Sequence, residues 1–195
     1  MEKKKPSFII RFVRWVIFSM AGFLVVGIFI SFRPLHSGHT GESNCQNTAY
    51  NLKNAISFYF TEYRKYPVPR EPREDVQLQS DHVLMDILLG SDPSSEGPDA
   101  LNSRRIAFFT GKQAKQMGEG KYRKGVVLGS DGGGELWDPW GNYYRVLLDT
   151  NYDSRVKKPL WDQLTEAEEL PRSILVWSAG PDGDFETWKD NVKTW

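Results

Sequence analysis

The chain has one cysteine, Cys45, so no internal disulfide can form and cysteine usage does not reveal the redox compartment. It has no excess of either charge. Its 25 Lys and Arg balance 25 Asp and Glu, so bulk electrostatics favours neither an acidic partner nor nucleic acid. No nucleic-acid partner is therefore expected. Zinc-ligand spacing is missing, and so is a nucleotide fingerprint. The run Gly129-Ser130-Asp131-Gly132-Gly133-Gly134 lacks the Lys-Ser/Thr of a P-loop and the strand–helix setting of a dinucleotide site, which leaves a flexible turn. Aromatics are plentiful. Seven Trp suit a domain with a real core. The 195 residues have room for one such domain and a short accessory segment.

Residues 1–14 are basic, with Lys3, Lys4, Lys5, Arg11 and Arg14. Residues 15–32 carry no charge. About eighteen residues at 1.5 Å rise make roughly 27 Å of helix, enough to span a thin hydrocarbon core. The cations lie mostly before this run, so the positive-inside rule places the N-terminus in the cytoplasm and the remainder in the periplasm. No small-x-small cleavage site follows the run. The expectation is an uncleaved single-pass transmembrane helix in the inner membrane. Residues 33–44, with Pro34, Gly38 and Gly41, read as a linker.

A globular domain is expected over residues 45–195. Ser43-x-x-Gln46 is a capping-box pattern. Ala49, Leu52, Ile56, Tyr59, Phe60 and Tyr63 then form one apolar helical stripe, which Tyr66-Pro67 brings to a close. Ser80 or Asp81 caps a short helix over residues 82–89, with Gly90 after its end. Residues 67–80 and 111–124 read as polar loops, the second basic and exposed. Residues 126–128, 143–149 and 173–177 read as strands. A helix first and strands later, without βαβ alternation, predicts an α+β fold: an amphipathic helix packed on a small antiparallel β-sheet.

The acids gather at the end. After the apolar run Ile174-Leu175-Val176-Trp177 comes the turn Ser178-Ala179-Gly180-Pro181-Asp182-Gly183-Asp184. Oxygen side chains at Asp182, Asp184, Glu186 and Asp190 fall at positions one, three, five and nine of a calcium loop. Thr187 stands where an EF-hand needs Gly, and Lys193 where it needs Glu, so this is not an EF-hand. A hard cation held by alternate acids remains one reading and an acidic surface turn the other.

The motifs Asp138-Pro139-Trp140-Gly141-Asn142-Tyr143-Tyr144 and Ser178-Ala179-Gly180-Pro181-Asp182-Gly183 resemble those of the major pseudopilin of the type II secretion system. The closing Asp190-Asn191-Val192-Lys193-Thr194-Trp195 and the helix exit at Tyr66-Pro67 fit the same pattern. The resemblance covers residues 45–195 and implies a pilin-like helix on a sheet, with calcium in the C-terminal loop. Carried over, Asp182 is one ligand, the second carboxylate falls at Asn191, and a carbonyl and a hydroxyl near Ser178 complete the shell. Asn is a neutral donor, so Asp190 or Asp184 can serve instead. The resemblance does not reach the N-terminus. The cleaved basic leader and the Phe-Thr-Leu-Ile-Glu that follows it are not found there.

These readings predict a structural protein of secretion or envelope assembly, with the inner membrane and other pseudopilins or secretion-machine proteins as partners. One alternative is an anchored module that binds a secreted protein or glycan through Trp137, Trp140 or Trp188. The other is a hydrolase using Asp182 and Asp184 as an acid pair. No nucleophile motif accompanies those two acids, and an enzyme is not expected.

Overall fold

The computed structural model describes residues 37–68, 74–91, 100–159, 162 and 166–195. Helix α1 runs Ser37–Tyr63. It begins ahead of the capping box, so Ser43 and Gln46 are exposed residues within the helix and residues 37–44 are helical rather than linker. Thr48, Ser57 and Thr61 donate to the carbonyls of Asn44, Lys53 and Ser57, which lets hydroxyls sit inside a helix. Cys45, Ala49, Leu52, Ile56 and Tyr59 form its buried stripe. Helix α2, His82–Leu89, starts at Asp81, whose side chain accepts from Val83 N–H, and stops at Gly90 in the left-handed conformation.

Among the described residues there are also ten short strands. They are β1 (Val76–Gln79), β2 (Lys115–Gly118), β3 (Lys121–Arg123), β4 (Gly125–Leu128), β5 (Gly134–Trp137), β6 (Arg145–Leu148), β7 (Val156–Lys157), β8 (Glu169–Leu170), β9 (Ile174–Ser178) and β10 (Val192–Lys193). The main sheet has the order β1-β6-β9-β10, with every pair antiparallel. The other strands form three two-stranded ribbons, β2–β3, β4–β5 and β7–β8. Strand β1 lies in the stretch 67–80 that the sequence suggests as a polar loop. Its Val-Gln-Leu-Gln alternates, but half its residues are polar because it lies at the sheet edge.

All five residues of β9 are buried. Ile174 and Val176 join Val146, Leu148 and Val192 in the core that α1 and α2 cover. Leu175 and Trp177 point to the other face, where Val156, Leu147, Leu170, Phe185 and Trp195 pack on them. Buried Asp162 holds that side by accepting from Lys193 Nζ at 3.0 Å and Trp195 Nε1 at 2.7 Å. Residues His39–Trp195 form one compact unit.

The α+β class and the small antiparallel sheet are as expected. The transmembrane helix is corrected. Among the described residues no helix is long and apolar enough to cross a membrane. Helix α1, at 27 residues, has the length, but Glu42, Lys53, Glu62 and its Asn residues keep it polar. Residues 15–32, where the span was expected, lie outside the described residues.

One buried polar residue joins α1, α2 and the segment after α2. Asn102 Nδ2 donates to the carbonyls of Ile87 and Ile106, and its Oδ1 accepts from Ile106 N–H and Tyr63 Oη. Asn102→Leu leaves several of these buried or part-buried groups unpaired, and we expect urea unfolding to show a loss of roughly 2–4 kcal/mol. Tyr63→Phe removes the donor to Asn102 and the acceptor of Arg104 N–H, and should cost about 1–2 kcal/mol.

Candidate functional site

The C-terminal loop hangs from the end of β9, and a buried carboxylate fixes that point. Asp138 Oδ1 accepts the N–H groups of Trp140, Gly141 and Asn142 at 2.8, 2.7 and 2.9 Å. Its Oδ2 accepts the Ser178 hydroxyl at 2.6 Å, and Ser178 Oγ in turn accepts Gly180 N–H at 3.1 Å. Both Asp138 and Ser178 are fully buried. The turn after β5 is thereby tied to the start of the acidic loop. Cys45 is buried beside them, and burial pushes its thiol up to about 12, which leaves it neutral.

Beyond Ser178 the loop folds back on itself. Gly180 sits at φ +70, and a Cβ there would fall 2.1 Å from Asp190 O, so only glycine permits the approach. Asp182 N–H donates to Asp190 Oδ2 at 3.2 Å. Asp182 Oδ1 accepts Asp184 N–H, and Asp184 Oδ1 accepts Glu186 N–H. The Thr187 hydroxyl lies at the centre, 2.6 Å from Asp182 Oδ2, 3.1 Å from Asp184 O and 3.2 Å from Asp190 Oδ1. A hydroxyl has one proton to donate. Three oxygens therefore share one donor, and the remaining close approaches have no hydrogen between them. The Thr187 hydroxyl, helped by Asp184 N–H, holds the Asp182 carboxyl below the usual carboxylate range.

The structure thus brings Asp182 and Asp190 to one point, and Asp184 reaches it through its carbonyl while its carboxylate turns to Glu186. Asn191 Nδ2 donates to Phe185 O at 3.2 Å. Asn191 Oδ1 is buried and has no hydrogen-bond partner among the described residues. Ser178 is elsewhere, on Asp138. The calcium-loop pattern does not point to Thr187, because it occupies the position at which an EF-hand requires Gly. In the sequence Asp138 shows only as part of a turn, because nothing in its spacing reveals burial.

The donors gathered here are carboxylate, carbonyl and hydroxyl oxygens, with an orphaned amide oxygen at Asn191. This set fits a hard cation of the calcium type and suits a softer metal poorly. Among the described residues no group of three or more His, Cys, Asp or Glu side chains is arranged to hold a metal, so a cation here relies on mixed donors. Asp182 and Asp184 are exposed on the loop surface. Of the three tryptophans considered for binding, Trp188 is exposed, Trp140 is half-buried and Trp137 is buried. They do not form one open aromatic face. Comparisons of the chain with protein-family models, with curated proteins and with solved structures found no match.

The Asp138 clasp makes two checks possible. Asp138→Ala removes the acceptor of four donors and should cost upward of about 3 kcal/mol in urea unfolding. Asp138→Asn keeps an oxygen for the three N–H groups and should cost less than half as much. The second check is pH. Burial pushes the Asp138 carboxyl above the usual range, against hydrogen bonds that favour its charged form. A carboxyl raised by folding contributes stability that is whole below its unfolded value of about 3.9 and is lost as pH rises through the folded value. Asp138→Asn does not titrate. The stability gap between wild type and this variant should therefore shift against the wild type as pH rises through the acid range.

Proposed function

We propose that the chain is a pseudopilin-like structural component of a secretion or envelope assembly, working outside the cytoplasm with a C-terminal loop pinned by calcium. The observation that carries this reading is the crowd of oxygens at Thr187. Two carboxylates and a carbonyl converge where there is one proton to share, and Asn191, next in sequence to Asp190, has a buried Oδ1 without a hydrogen-bond partner among the described residues. Asp182, Asp190, the Asp184 carbonyl and Asn191 would hold the ion, and a bound cation would neutralise their mutual repulsion. The few-carboxylate, exposed character of the loop suits the weaker sites of extracellular modules, where free calcium is abundant.

The role is architectural rather than catalytic. The loop leads from β9 into β10, so fixing it keeps the edge strand paired and Phe185 packed on Leu175 and Trp177. The helix-on-sheet arrangement supports the pilin-like reading, and the partners expected on it are other subunits of the same machine.

Thermal melting with excess calcium and then with EDTA tests the loop. We expect a rise in Tm with calcium that Asp182→Ala and Asp190→Ala each diminish. An unchanged Tm, together with no bound metal by native mass spectrometry, would remove calcium from the proposal. Crosslinking in cells tests the role: neighbours drawn from a secretion machine support it, and neighbours lacking any such component overturn it.

A further inference from the structure

Away from the acidic loop, a cavity of about 300 Å³ opens between α1 and the backbone that leads into and out of the β2–β3 ribbon. Asn44, Asn47 and Asn51 line the helix side, and Lys112 and Lys124 the other. The three amides recur at three- and four-residue spacing, so α1 presents them in a column. The floor is apolar, made by Phe109 and Leu136, both buried. The wall contains two cations and no carboxylate. Among the described residues, neither lysine has an ion-pair partner.

The two lysines are held close by their backbones. Val126 N–H donates to Lys112 O at 2.8 Å. A Cβ at Gly125, which stands at φ +149, would fall 2.3 Å from the same oxygen. Lys124 itself adopts φ +58, a left-handed conformation that disfavours side chains, and its N–H donates to Asp138 O at 2.6 Å. Like charges on adjoining segments repel when no acid lies between them, and an anion relieves that repulsion.

We propose that this cavity binds an acidic saccharide unit, with its carboxylate between Lys112 and Lys124 and its hydroxyls on the asparagine column. The exposed amides of Asn47 and Asn51 each carry donors and an acceptor, which matches the paired donor and acceptor character of sugar hydroxyls. The apolar floor suits the C–H face of a pyranose ring. A cavity of this size is at the small end of ligand sites and takes one or two sugar units. A bare inorganic anion would use the lysines but leave the amides and the floor without a role. The proposal does not rest on calcium in the C-terminal loop.

Calorimetric titration of the full chain tests it, using a short oligouronate, a neutral oligosaccharide of the same linkage and inorganic phosphate as probes. The oligouronate should bind saturably, and the neutral sugar much more weakly. Lys112→Gln and Lys124→Asn, the latter tolerant of the left-handed backbone, should each weaken binding about tenfold. Asn51→Leu, at an exposed helix position, should weaken the oligouronate and leave phosphate unchanged. Melting curves of each variant establish that it is folded. No saturable oligouronate binding, or binding indifferent to both lysine variants, overturns the site. Phosphate binding as tightly as oligouronate, or indifference to Asn51→Leu, overturns the saccharide assignment.

Discussion

Asp138 is the constraint on which the rest depends. A carboxylate removed from water is tolerable only when its oxygens are fully occupied, and here three backbone N–H groups and a hydroxyl occupy them. The residues that satisfy it come from both ends of the sheet's history in the chain. Trp140, Gly141 and Asn142 form the turn that leads into β6, and Ser178 ends β9. The same residue's carbonyl accepts from Lys124, so the exit of the β2–β3 ribbon is fixed as well. One buried acid thus sets where the acidic loop begins and where the lysine-lined cavity has its rim.

Strand β9 shows how the packing follows. Its run of apolar residues leaves no polar face, so it must be covered on both sides. One side takes α1 and its stripe of Cys45, Ala49, Leu52, Ile56 and Tyr59. The other takes chain that returns after the loop, with Trp195 edge-on to Trp177 at 5.9 Å between centroids. The acidic loop is what lets the chain turn from the first job to the second.

Much of this is legible in the sequence. The stripe of α1, the Asp81 cap and Gly90 stop of α2, and strands β4, β6 and β9 follow from periodicity and turn chemistry. Strands β1, β2, β3, β5, β7, β8 and β10 are not legible, because short edge or ribbon strands carry too little pattern to separate from loops. The start of α1 was missed because Gly38 and Gly41 argue against a helix locally, and Gly41 lies against Trp140, a contact remote in sequence. In the site, spacing pointed to Asp182 and Asp190 but could not show that Ser178 turns inward to Asp138. Nor could it show that Thr187, an apparent departure from a calcium loop, lies at the centre of the oxygens.

The lone thiol of Cys45 acquires a further meaning from its position. It sits on the buried face of α1, sealed against Tyr144, and its reactivity is suppressed for as long as that seal holds. A chain with one such group carries its own chemical clock. The rate at which a disulfide reagent reaches Cys45 measures how often the helix lifts from the sheet, with no label added and no competing sulfhydryl to confuse the signal.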